Sequence, residues 1–186
     1  CQKHGMRAIV TFFTNGGRFE SPKLGVQPAS VQGVHNSQWI QSPGAPSVND
    51  PSTYQRLERY VKDVITTFKA DDRILFWCLY NEPENFKQKA HSIPLLREVF
   101  RWAREVNPSQ PLSSPIWIYP GGHGTRSNLP IISFLGENCD VMTFHCYYGP
   151  EEMEKFIAFM KQFDRPVICQ EYMGRPRSTF EEIMPI

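Results

Sequence analysis

Apolar runs of strand length alternate along this chain with segments whose apolar residues recur at helical spacing. The runs at 6–13 (MRAIVTFF), 74–80 (ILFWCLY), 111–117 (PLSSPIW), 141–145 (VMTFH) and 166–171 (PVICQE) predict five strands. Between them, Tyr54, Leu57, Val61, Val64, Ile65 and Phe68 predict an amphipathic helix, with Asp50 as its N-cap and Pro51 at the first helical position. Two more helices follow from Leu95, Leu96, Val99, Phe100 and Ala103, and from Met153, Phe156, Ile157, Met160 and Phe163, with a weaker helical stretch at 131–135. Gly5 has the character of a helix-ending cap, and Ser178 with Glu181 forms a capping box that opens a further helix. Strands alternating with helices imply right-handed crossovers and a parallel sheet. The unbroken hydrophobicity of 74–79 fits a strand covered on both faces.

One segment breaks the alternation. Residues 14–49 are rich in Gly, Pro, Ser, Asn and Gln and are too long for a mere connector, so they are expected to build part of a site. Two glutamates stand out against the same pattern: Glu82 and Glu171 each fall directly after a buried-strand run. A carboxylate at the end of an apolar strand is costly unless it is used. In a parallel sheet or barrel the chemistry gathers at the carboxyl ends of the strands, and two carboxylates facing one cleft are what glycosidic bond hydrolysis needs. Asn81, His145, Tyr147 and Tyr172 fall at matching strand ends.

Composition narrows the ligand. The 186 residues are 40% hydrophobic and 13% aromatic, enough for a sizeable core and a single domain spanning 1–186. Lys and Arg total 20 against 19 Asp and Glu, with no basic run or basic helix face, so neither a nucleic-acid partner nor a membrane surface is expected. No apolar stretch approaches the roughly 18 residues of a membrane span, and no signal peptide opens the chain. The first residue is Cys1, which suggests a processed or truncated product whose lack of a signal says nothing about secretion. The five cysteines are scattered without zinc-site spacing, and Cys78, Cys146 and Cys169 lie in or beside strand runs, where a thiol acts as a small buried hydrophobe. No metal and no cofactor is expected. A metal-dependent hydrolase using His35, His145, Glu82 and Glu171 is the lesser alternative, lacking HxH or HExxH spacing.

WCLYNEP (77–83), FHCYY (144–148) and ICQEY (168–172) together resemble the retaining glycoside hydrolases of the large (β/α)8-barrel clan, which includes cellulases, mannanases and β-galactosidases, with glycoside hydrolase family 5 as the nearest type. In that clan the acid/base glutamate follows an asparagine at the end of strand four, and the nucleophile ends strand seven. The resemblance implies an incomplete TIM-type (β/α) barrel of about five parallel strands with flanking helices, corresponding to strands three to seven. It makes Glu82 the proton donor, Asn81 the partner of the sugar 2-hydroxyl and Glu171 the nucleophile. Tyr147 would orient Glu171, and His145 would line the cleft. One carboxyl must then keep its proton near neutral pH while the other stays ionised.

The resemblance also implies secretion, and an aromatic-rich chain without a basic patch suits an uncharged β-linked glucan, xylan or mannan as substrate. Within 33–44 (GVHNSQWIQSPG), Trp39 offers a sugar-stacking platform and His35 or Asn36 hydrogen-bonding groups; the alternative is a loop whose Trp caps the barrel. Trp117, ending a strand, stands between the same two readings. A binding protein that kept the cleft but lost turnover is the main competing function. Strands three and seven would be open edges, so a homodimer in which each chain covers the open side of the other is expected.

Overall fold

The computed structural model describes residues 2–16, 25–27, 29–34, 37–85, 91–118, 129–172 and 174. They fall in two compact units, Cys1–Leu112 and Ser113–Ile186. The first unit contains strand β1 (Ala8–Thr14), the short helix α1 (Ala45–Val48), helix α2 (Tyr54–Phe68), strand β2 (Ile74–Asn81) and helix α3 (Ile93–Val106), and strand β3 (Leu112–Ser113) begins on its last residue. The second contains helix α4 (Leu129–Asn138), strand β4 (Met142–Cys146), helix α5 (Pro150–Met160) and strand β5 (Val167–Tyr172).

In the first unit the strand order is β1-β2-β3. β1 and β2 are parallel, with Val10 opposite Trp77 and Thr14 opposite Asn81. The last six residues of β2 are buried, as expected for a strand covered on both faces. Asp50 caps as its sequence position predicts: its Oδ1 accepts from Ser52 N at 3.0 Å, at the start of a 3₁₀ turn that runs into α2. Leu57, Val61 and Ile65 are the buried stripe of α2. Phe68, placed by the sequence on that stripe, is 41% exposed instead, and with Val64, Ala8, Val10 and Trp77 it lines an open cavity of about 480 Å³. Helix α3 buries Leu95, Leu96, Val99, Phe100, Trp102 and Ala103 and ends on left-handed Asn107.

Gln110 ties this unit together. Its Oε1 accepts from the buried Trp77 indole N–H at 3.1 Å, and its Nε2 donates to the carbonyls of Phe68 and Asp71 at 3.0 and 2.8 Å. One side chain thereby satisfies a buried donor in β2 and two carbonyls at and just past the end of α2. The long 14–49 segment returns to β1: Thr14 and Ser42 exchange backbone hydrogen bonds of 2.8 and 3.1 Å in an antiparallel bridge.

In the second unit β4 and β5 form a parallel pair, and Ile116 pairs in parallel with Phe144. The continuous strand predicted at 111–117 is therefore two short pieces, Leu112–Ser113 and an isolated bridge at Ile116. Pro115 separates them, and a residue without an N–H cannot donate to a ladder. Met153, Phe156 and Met160 are the buried face of α5, with Phe156 stacked on Phe144 of β4 at a centroid distance of 5.1 Å. All of β4 is buried, whereas β5 is half-buried up to Glu171 and exposed at Tyr172. β1 and β5 each pair with one strand among the described residues. No helix among them is long and apolar enough to cross a membrane. The capping box at Ser178 and Glu181 lies outside the described residues.

Candidate functional site

Polar groups cluster at the carboxyl end of β2 in the first unit and at the carboxyl ends of β4 and β5 in the second. At the end of β2, Asn81 is buried at 3% exposure and Glu82 is half-buried. Glu82 adopts a left-handed backbone, φ +47°, and so does Glu84 at +58°. For a residue with a Cβ this conformation costs on the order of 1–3 kcal/mol, and such strain concentrates at functional turns. The turn is closed by Asn85, whose backbone N–H donates to the Glu82 carbonyl at 3.0 Å and whose Nδ2 donates to Glu82 Oε2 at 2.5 Å.

Behind this turn lies a polar network the sequence did not announce. The Tyr80 hydroxyl donates to Asn15 Oδ1, and Asn15 Nδ2 donates to Ser92 Oγ at 3.2 Å. Ser92 in turn donates to Glu84. Burial, and then the charge of Glu84, push the Tyr80 hydroxyl pKa well above its ordinary value, so Tyr80 is a neutral donor. Asn15, Tyr80 and Ser92 come from the end of β1, from β2 and from the start of α3, and no sequence motif joins them. Only the recurrence of polar residues in NEPEN (81–85) marks the segment.

In the second unit His145, Tyr147 and Glu171 come together. The Tyr147 hydroxyl donates to Glu171 Oε2, and His145 Nε2 lies 3.4 Å from Oε1. The register explains why. Phe144 pairs with Cys169 and His145 pairs with Glu171, so β5 carries one extra residue, Gln170, between them. Adjacent residues of β4 face opposite ways, so the bulge delivers Cys169 to the face of Phe144, toward α5, and Glu171 to the face of His145. A regular strand would put Cys169 and Glu171 on one face. The bulge has a cost: Gln170 Oε1 is buried without a hydrogen-bond partner among the described residues. Gly174 completes the arrangement, since a Cβ at that position would lie 2.8 Å from the Tyr147 ring.

Of the remaining predicted residues, Trp39 is 38% exposed in the first unit, and Trp117 is half-buried in the second. His35 and Asn36 lie outside the described residues. Tyr172 is 44% exposed. Cys78 and Cys146 are buried and Cys169 is half-buried. Desolvation pushes the Cys169 thiol up to about 11 and raises that of Cys146 as well, which disfavours a reactive thiolate at either.

The parallel strands, flanking helices and strand-end polar groups define an α/β fold, that of part of a (β/α)8 barrel. No family model matches the chain. It is similar to a β-glucuronidase of Paenibacillus borealis, with 22% identity over 134 residues covering 68% of this chain and 21% of that protein. Among solved structures it resembles a glycosylated endo-β-1,4-xylanase of glycoside hydrolase family 10 from Gloeophyllum trabeum, at a TM-score of 0.55 and 18% identity, over 74% of this chain and 50% of that one. A β-glucuronidase of an uncultured Clostridium overlays at a TM-score of 0.44 and 16% identity, over 70% and 24% of the two chains. The fold assignment rests on the xylanase, and at these identities the likeness is to the barrel fold of glycoside hydrolases, without singling out family 5. The chain spans about a fifth of the length of the curated relative it matches.

Proposed function

We propose that this chain carries the catalytic residues of a retaining glycoside hydrolase, of the family 5 type, that cleaves a β-linked glucan, xylan or mannan. Glu171 attacks the anomeric carbon while Glu82 gives its proton to the departing glycosidic oxygen. Water then adds to the glycosyl–enzyme ester, losing its proton to Glu82 and releasing Glu171. The observation that carries this reading is the clasp on Glu171, whose two oxygens face the Tyr147 hydroxyl and the His145 ring. The Tyr147 hydrogen bond aims the carboxyl, as a nucleophile requires. On the other side of the mechanism, Asn81 is the partner for the sugar 2-hydroxyl, and the exposed ring of Trp39 supports stacking on a pyranose. Trp117 is a second stacking candidate, and His35 a hydrogen-bonding one. The reaction needs no cofactor.

The test is leaving-group dependence. Glu171→Gln should lower kcat on a dinitrophenyl β-glycoside by at least about 10⁴-fold. Glu82→Ala should lower kcat/KM, which reads the first step, by roughly 10²- to 10⁴-fold on an unactivated glycoside and far less on the dinitrophenyl one. Equal losses on both substrates would overturn the roles. For the substrate, rates on β-1,4-glucan, xylan and mannan should exceed those on pectate and on an aryl β-glucuronide; a preference for either charged substrate would overturn the neutral-glycan reading. We also propose the homodimer expected from the single pairing of β1 and β5, burying at least the roughly 1,200–2,000 Å² of a specific interface. Light scattering from a well-folded monomer at micromolar concentration would refute it.

A further inference from the structure

We propose that Glu84 is a positioning residue for Glu82, holding the turn that sets the direction of the Glu82 carboxyl. The inference rests on the reading of Glu82 as proton donor. Among the described residues four non-glycines have a left-handed backbone. Two of them, Asn107 and Asp164, end helical turns, where that conformation is ordinary. The other two, Glu82 and Glu84, flank Pro83 with no helix end to account for them. A turn strained twice in three residues persists only if something outside it fixes it.

Glu84 is the residue fixed from outside. Its Oε1 accepts from Ser92 N at 2.5 Å, Ser92 Oγ at 3.0 Å and Ile93 N at 3.2 Å, and its own backbone N–H donates to Ser92 Oγ at 2.8 Å. These bonds take up N–H groups at the start of α3, where Ser92 makes no side-chain cap of its own. A carboxylate there also suits the positive end of the helix dipole. Ser92 is held in turn by Asn15 and, through it, by Tyr80 of β2. The turn is thus anchored at one end by the β2 ladder and at the other by α3, and Glu82 sits between the anchors. A general acid displaced by about 1 Å loses roughly 10²-fold in rate, so anchorage of this turn bears on catalysis as well as on stability.

The experiment compares wild type with Glu84→Ala, Glu84→Gln and Ser92→Ala on dinitrophenyl and phenyl β-cellobioside, β-xylobioside and β-mannobioside. Glu84→Ala should lower kcat/KM, which reads the bond-breaking first step, by roughly 10- to 100-fold on the phenyl glycosides and by less than about 3-fold on the dinitrophenyl glycosides. Ser92→Ala, which keeps the charge, should shift in the same direction, and the double variant should lose no more than the worse single one. Equal loss on both leaving groups would mean a structural role alone. Amide hydrogen exchange gives a readout independent of turnover: in Glu84→Ala and Glu84→Gln the Asn85 amide, which donates to the Glu82 carbonyl, should lose protection together with Ser92 and Ile93. If Asn85 stays protected while Ser92 and Ile93 open, Glu84 only caps α3 and the proposal fails. Should wild type cleave none of these glycosides, the reading of Glu82 as a proton donor fails, and the exchange data still decide whether Glu84 holds the turn.

Discussion

The two candidate carboxylates are held by opposite means. Glu82 is directed by its backbone: a left-handed φ, a turn closed by Asn85, and an anchor at Glu84. Glu171 sits within a strand and is directed by side chains, Tyr147 and His145, brought opposite it by a bulge. In the proposed mechanism these demands differ. A proton donor must swing little while it loses and regains a proton, which a rigid turn provides. A nucleophile must keep one oxygen aimed at the anomeric carbon, which a hydrogen bond to its own carboxyl provides.

The sharpest way to break this comparison is to remove the side-chain clasp. Tyr147→Phe should lower kcat by roughly 10- to 100-fold, the worth of a hydrogen bond to a charged group. Gly174→Ala should act in the same direction, because its Cβ would push the Tyr147 ring away from Glu171. Asn85→Ala removes a side-chain contact at the other carboxylate and should cost only a few-fold if the backbone directs Glu82. A loss in Asn85→Ala equal to that in Tyr147→Phe would end the distinction.

Two stability variants sharpen the contrast between the units. Gln110→Ala strands the buried Trp77 indole N–H and two carbonyls in the first unit, and should cost about 2–4 kcal/mol in urea unfolding. Gly136→Ala would place a Cβ 2.2 Å from the Phe163 ring in the second unit and should cost about 1–3 kcal/mol. Each should loosen amide protection chiefly within its own unit. Loosening spread evenly over both would show that the two units share one cooperative core.

The smallest effect concerns pH. Hydrogen bonds from Arg73 hold the Asp71 carboxyl at about 2, below the ordinary carboxylate range. A depressed folded pKa adds stability that is present above the unfolded value, about 3.9, and is lost as pH falls through the folded one. The Tm difference between wild type and Arg73→Ala should therefore be small at pH 6 and fade as pH drops through about 2.

The sequence by itself determined the periodicities. A run such as ILFWCLY has no polar face to expose and forms a strand buried from Phe76 onward, with Leu75 left exposed at its start, and Leu57, Val61 and Ile65 form one buried helical stripe. Glu82 and Glu171 were legible because a charge after such a run is an anomaly visible in one dimension. What depends on partners distant in the chain was not legible. Pro115 split a predicted strand, and Phe68 lies 41% exposed beside an open cavity. The extra residue in β5 carries no local sign, since VICQEY alternates as well with a bulge as without one until β4 sets the register. The same holds for Glu84: its acceptors' partners lie eight and nine positions away across the start of a helix, and only folding brings a carboxylate to those N–H groups. Hydrophobic pattern is a property of neighbours in sequence, whereas hydrogen-bond satisfaction is a property of neighbours in space, and the candidate site is built from the second.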